Sequence, residues 1–136
     1  VSGILLDTGV VSCLMSAPDT RLYVYKEHYG QLVMENRCFT SPVTVAEILN
    51  NRWVSTLGTR RQEELEGFLS DTECLDITEA IAHEHKDLEW RKNKIPGSHD
   101  QWQVALASFH GLMLATLDRN LADASYHLIE VLQIPF

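Results

Sequence analysis

The segment GILLD, residues 3–7, places three consecutive large apolar side chains directly before a carboxylate. A strand with one wet face alternates apolar and polar residues. This run does not alternate, so both of its faces must be covered. Covering both faces of a parallel strand takes helices above and below the sheet, which confines the chain to a layered α/β fold. The acid adds a second constraint. A carboxylate at the end of so apolar a strand is costly to bury without a partner, which marks Asp7 as a candidate functional residue.

The same unit recurs along the chain. Short apolar runs at 38–41, 73–77, 112–116 and 129–134 alternate with stretches of helical spacing. A short helix is expected over 10–15, broken by SAPD at 16–19. The next is expected from 19 to about 33, where Leu22, Tyr25, Tyr29, Leu32 and Val33 share a face. After the second strand either Pro42 opens a helix or Thr44 caps it. Further helices are expected over 60–69, from a Thr78 cap to about 91, over 99–110 and over 121–127. Ser98 and Gln101 have the spacing of a capping box, and Gly111 suits the position just past a helix end. The pattern predicts α/β architecture with a mainly parallel sheet of about five strands. No linker, repeat or low-complexity segment divides it, so residues 1–136 read as a single domain.

Hydrophobic residues make up 45% of the chain, enough for one sizeable core. No apolar run has the length of a membrane span. The start of the sequence lacks the basic flank and cleavage pattern of a signal peptide and reads as a first strand. Eleven basic against nineteen acidic residues leave a net charge of -8. That balance argues against a broad nucleic-acid surface built on Lys and Arg. It suits carboxylates that await divalent cations, or a basic partner protein. The three cysteines, Cys13, Cys38 and Cys74, are too widely spaced for a zinc motif and form no disulfide framework. They are expected as free thiols in a reducing, cytoplasmic setting.

In parallel sheets functional groups gather beyond the carboxyl ends of the strands. Asp7 ends the first strand and Asp118 follows the fourth. Asp100 opens the helix before that fourth strand, and Glu47 lies in the helix after the second. Each has an ordinary structural alternative: Glu47 as the capping-box partner of Thr44, Asp100 as a charge at the positive end of its helix, Asp118 as a turn residue. Taken together, four carboxylates at one sheet edge repel one another until divalent cations relieve them. Hard oxygen ligands of this kind suit Mg²⁺ or Mn²⁺. The six histidines form no metal motif; His83 and His85 do not share a helix face, and His99, beside Asp100, reads as a loop or first-turn residue. Arg37, Arg52, Arg60, Arg61, Arg91, Lys92 and Lys94 are the candidate contacts to a polyanion. The densest stretch, WRKNK at 90–94, reads either as a groove rim or as a solvated surface.

Four blocks now resemble a known family. LDTGVVS at 6–12 is similar to the opening motif of PIN domains, usually LDTNVLS. SPVTVAEIL at 41–49 resembles their second block, a strand ending at Ser followed by a helix with an acid. DQWQVALASFHG at 100–111 resembles the pattern D-x-x-I-A-A-x-A-x-x-H-G, and LMLATLD at 112–118 the closing strand and its acid. The blocks come in family order over nearly the whole chain. The resemblance implies a three-layer α/β/α sandwich and an acidic cluster of Asp7, Glu47, Asp100 and Asp118. It implies one or two Mg²⁺ or Mn²⁺ ions and endoribonuclease activity of the VapC-like toxin type, with tRNA or ribosomal RNA as target. It also implies a homodimer and a small antitoxin laid across the cleft.

Three positions depart from the family pattern. Gly9 replaces the usual Asn, Gln103 an apolar residue, and Asn120 stands where a second acid is common after Asp118. Thr8 remains as a supporting hydroxyl, and Asn120 is retained as a supporting group. The apolar and aromatic residues Val10, Leu14, Leu22, Tyr23, Tyr25 and Tyr29 exceed what one sheet face needs and provide a candidate dimer surface. A catalytically weak binding module is the alternative that Gly9 and Asn120 favour. A receiver-like phosphotransfer domain would need a Lys near a later strand, and none follows Lys94.

Overall fold

The computed structural model describes residues 3–15, 23, 25–50 and 58–133. In chain order these form β1 (Ile4–Leu6), α1 (Thr8–Leu14), α2 (Lys26–Glu35), β2 (Cys38–Thr40), α3 (Pro42–Leu49) and α4 (Thr59–Asp71). They continue with β3 (Glu73–Cys74), α5 (Glu79–Asp87), α6 (Ser98–His110), β4 (Met113–Thr116), α7 (Arg119–Ser125) and β5 (Val131–Gln133). The strands make one sheet in the order β3-β2-β1-β4-β5, with every neighbouring pair parallel.

The unbroken apolar run lies at the centre of that sheet, where it must. Successive β1 side chains point to opposite faces. Ile4 and Leu6 enter one core with Val10, Val11, Tyr29, Ile48 and Leu65, drawn from α1, α2, α3 and α4. Leu5 enters the other with Ile81, Val104, Leu106 and Leu121, drawn from α5, α6 and α7. The result is the expected three-layer α/β/α arrangement. Fully burying an aliphatic side chain of this kind stabilises the fold by about 1.5–3 kcal/mol. Gly111 has φ 65° and ends α6, a left-handed conformation that glycine adopts without strain.

Several local expectations change. Ser41, not Thr44, caps α3: its Oγ accepts from Thr44 N at 3.2 Å and Pro42 is the first helical residue. Glu47 therefore lies beyond any capping box. The Ser98–Gln101 box does not form either. Gly97 is the N-cap without a side-chain bond, and Gln101 Nε2 donates to the Pro96 carbonyl at 2.8 Å. β3 is two residues long, because Asp76 and Ile77 beyond it are exposed and only Leu75 turns inward. α5 stops at Asp87. Leu88 is extended, and both it and Trp90 pack against the second core. The expected helix over 19–33 begins regularly at Lys26 and runs to Glu35; residues 19–22 and 24, the SAPD break and Ile134 lie outside the described residues.

The candidate dimer surface is smaller than the sequence implied. Val10 and Tyr29 are wholly buried and Leu14 nearly so, absorbed by the first core, and Leu22 lies outside the described residues. Tyr23 remains exposed and Tyr25 half-buried. Among the described residues no helix is long and apolar enough to cross a membrane.

Candidate active site

β1, β2 and β4 run parallel, so their carboxyl ends deliver their following residues to one sheet edge. Asp7 continues the β1 ladder, its N–H donating to the Ala115 carbonyl at 3.0 Å, and then caps α1. Its Oδ1 accepts from Thr8 N at 2.8 Å and its Oδ2 from Thr116 Oγ1 at 2.7 Å. Thr116 also accepts from Asp118 N at 3.0 Å, so one buried hydroxyl ties the first acid to the backbone of the last. Asp118 caps α7, its Oδ1 accepting from Asn120 N and Leu121 N. Its turn role and its place at the site therefore coexist.

Asp100 lies in the first turn of α6, and Glu47 in α3 with its Oε1 accepting from Thr8 Oγ1 at 3.2 Å. Asp100 and Asp118 line a cleft of about 360 Å³, with Asn93, Lys94, Asn120 and Asp123 on its rim. The electrostatics join the four acids. Burial, then the charges of Asp7, Asp118 and Glu47, raise the Asp100 pKa to about 6, against a small lowering by His99. Asp7 is raised chiefly by burial; Glu47 and Asp118 push it further, while its bonds to Thr116 and Thr8 oppose them. His99 Nδ1 lies 3.8 Å from Glu47 Oε1, close to the cluster but exposed.

This set meets the chemistry of a hard divalent cation. All four donors are carboxylate oxygens, and their mutual repulsion is the kind that bound positive charge relieves. The two hydrogen bonds of Asp7 leave each of its oxygens a further lone pair. Among the described residues no three or more His, Cys, Asp or Glu side chains are gathered closely enough to hold an ion as they stand. Asp100 and Asp118 line the cleft, and Asp7 and Glu47 lie near enough to act on them through their charges without forming a preset cage.

The basic candidates divide. Lys94 is at the cleft, its Nζ 2.6 Å from Asp123 Oδ2. Arg91 stacks on the Tyr126 ring at 5.0 Å and donates to the Asp123 carbonyl, fastening the 88–97 loop to α7. Lys92 is exposed on that loop. Arg37 precedes β2 at the amino ends of the strands, paired with Glu73 at 2.8 Å, and is not brought to the cleft. Arg60 and Arg61 open α4, with Arg61 donating to the Met15 carbonyl, and Arg52 lies outside the described residues. The sequence reading gave no site role to Thr116, Thr44 or Ser41, buried hydroxyl groups at a strand end or a first helical turn.

Gly9 faces Leu117. A Cβ at Gly9 would meet only that side chain, at 3.6 Å or more, which is ordinary contact. Gly9→Asn should therefore fold with a melting temperature within about 2 °C of wild type, a small change for a substitution without clash. A clearly larger fall would show that the glycine is required for packing.

The protein is thus a parallel α/β/α sandwich with acidic side chains at the carboxyl edge of its central strands, the edge at which sheets of this kind carry their functional groups. The chain belongs to the PIN domain family, whose pattern matches residues 4–125. No curated protein matches the sequence. Solved structures resemble it over almost its full length. VapBC2 from Rickettsia felis bound to a DNA fragment from its promoter has TM-score 0.70 at 18% identity, covering 98% of this chain and 99% of that one. A toxin–antitoxin complex from Klebsiella pneumoniae has TM-score 0.68 at 19% identity, covering 96% of each chain. FitAcB from Neisseria gonorrhoeae has TM-score 0.63 at 24% identity, covering 94% and 95%. At these identities the likeness is one of fold.

Proposed function

We propose that this PIN domain is a Mg²⁺- or Mn²⁺-dependent endoribonuclease, the toxin of a toxin–antitoxin pair. The observation that carries this reading is the electrostatic coupling of Asp100 to Asp7, Asp118 and Glu47, acids drawn from four separate parts of the chain, beside a cleft lined by Asp100 and Asp118. These four would hold the ion. A divalent cation bound there supplies charge that acidifies a water for in-line attack and neutralises the phosphate. The chain's own groups do the rest. Asp7 is fixed by Thr8 and Thr116, and Asp118 by the first turn of α7, which would limit the rearrangement needed when a scissile phosphate arrives. Asn120 offers a neutral amide at the rim. Lys94 reaches the flanking backbone of the RNA, with Lys92 and Arg91 on the same loop. Single-stranded or loop RNA, in tRNA or ribosomal RNA, suits a groove that must reach an exposed backbone.

The likeness to toxin–antitoxin complexes supports a small protein partner, whose basic or amphipathic segment would cover the acidic cleft. A homodimer and a cytoplasmic setting complete the reading, the latter supported by Cys13, Cys38 and Cys74, none of which is in a disulfide. Asn120 at the cleft, in place of the usual acid, favours a second reading: a weak enzyme that acts mainly by binding.

The test is cleavage of structured and single-stranded RNA by purified protein with Mg²⁺ or Mn²⁺. Metal binding without cleavage of any RNA class would support the second reading. For Lys94, the expectation is a split in the kinetics. Lys94→Ala should raise KM about 3- to 10-fold with kcat near wild type, because a phosphate contact outside the reacting centre contributes uniform binding. An unchanged KM would remove Lys94 from the RNA path.

A further inference from the structure

Gln103 departs from the apolar residue its position usually holds, and the structure gives it partners. We propose that Gln103 is a positioning residue for the acid cluster: through Thr44 and Thr8 it fixes the Glu47 carboxylate. The inference rests on the reading of the acidic cleft as a divalent-cation site.

Gln103 lies in α6 and is 0% exposed. An apolar side chain would fill such a space without needing partners, whereas a buried amide must be satisfied. Its Oε1 accepts from Ser41 Oγ at 2.8 Å, and its Nε2 donates to Thr44 Oγ1 at 2.6 Å. Both partners belong to the start of α3, so the amide clamps α6, which carries Asp100, to the helix that carries Glu47. Thr44 is itself fully buried, and its hydroxyl lies 3.3 Å from Thr8 Oγ1, which lies 3.2 Å from Glu47 Oε1.

Proton direction follows from the donor inventory. Each threonine has one hydroxyl proton. Gln103 supplies the proton that Thr44 Oγ1 accepts, so the Thr44 proton is available to Thr8. The Thr8 proton is then available to the carboxylate, where a charged acceptor makes the stronger bond. Groups of this kind, which orient a metal-binding side chain without touching the metal, typically alter affinity 10- to 100-fold when removed.

The experiment measures binding of Mn²⁺ alone by calorimetry, beside thermal unfolding in metal-free buffer, for wild type, Gln103→Leu, Thr44→Val and the double variant. Each single variant should remain folded and weaken Mn²⁺ binding about 10-fold. The double variant should bind about as weakly as the weaker single variant, because one chain is broken once or twice with the same result. Folded Gln103→Leu with wild-type Mn²⁺ affinity overturns the proposal. So does a double variant whose losses multiply, since the two residues would then act separately. If Gln103→Leu does not fold, wild-type Mn²⁺ affinity in Thr44→Val overturns it instead. Wild-type protein that binds no Mn²⁺ overturns the cation-site reading and the inference with it, whereas binding retained equally in all four proteins overturns the inference alone.

Discussion

Replacing Asp7 with Asn will lower the rate of RNA cleavage at least ~100-fold, about 2.7 kcal/mol of transition-state stabilisation, while making the metal-free protein more stable. The two effects have one origin. Asp7 is nearly buried at the end of β1, and burial with the neighbouring charges of Glu47 and Asp118 outweighs its bonds from Thr116 and Thr8, so its pKa lies above the ordinary 3.8. A carboxyl raised in the folded state binds protons more tightly there than when unfolded. Its ionisation therefore costs stability as pH rises above the unfolded value, and the full cost is present above the folded pKa. Asn keeps the shape and can still accept from Thr8 N, but it removes the charge. At pH 8 without metal the variant should melt at a higher temperature than wild type. Equal cleavage by the two proteins would exclude Asp7 from the chemistry, and a lower melting temperature would show that the hydrogen bonds, not the buried charge, dominate there.

That opposition explains which parts of the molecule were readable from sequence. GILLD announced a central strand because apolar residues on both faces have one solution in a parallel sheet, and the structure puts Ile4 and Leu6 in one core and Leu5 in the other. The ends of elements were less legible because they depend on tertiary competition. Leu88 fits a helical pattern, yet an extended segment packs it, together with Trp90, on the second core and ends α5 early. Ser98 and Gln101 have capping spacing, yet the Pro96 carbonyl takes the Gln101 amide.

Asp7 and Asp118 stand out in the sequence because an acid just after an apolar strand breaks a strong pattern. The hydroxyl that ties them together does not. Thr116 at the end of β4 has ordinary strand chemistry, and nothing local tells that its proton goes to a residue 109 positions away. Gln103 is visible in the sequence as a departure, but its bonds to Ser41 and Thr44 cross from α6 to α3 and leave no local sign of its role. Arg37 shows the reverse error. Its charge was counted toward a polyanion site, but strand direction places it at the opposite sheet edge, where Glu73 pairs with it. Charge is a local property, and the edge on which it falls is a topological one.

Removing divalent metal with EDTA will abolish cleavage and leave a protein whose stability falls as pH rises through the range of Asp100. Asp100 has the ordinary value 3.8 when unfolded and about 6 when folded, raised by burial and by Asp7, Asp118 and Glu47. Its neutral form is therefore favoured by folding. The metal-free fold gains nothing from this group at low pH relative to its neutral unfolded form, and it bears a growing cost as pH passes from about 4 to about 6. Because Asp100 is partly exposed, solvent screening reduces that cost to about 1–2 kcal/mol, or about 3–8 °C in melting temperature for a domain of this size. Other groups titrate over the same interval, so Asp100→Asn serves as the reference: its metal-free melting temperature should fall less between pH 5 and pH 7.5 than that of wild type. Adding Mn²⁺ at pH 7.5 should restore the wild-type loss, since bound charge offsets the repulsion among the four acids. At pH 5 the same Mn²⁺ should do much less, because a protonated Asp100 must give up its proton before it can ligate. Cleavage that survives EDTA, or a melting temperature at pH 7.5 that ignores Mn²⁺, would remove the cation from this cleft. Equal pH dependence in wild type and Asp100→Asn would show instead that Asp100 is solvated well enough to ionise freely.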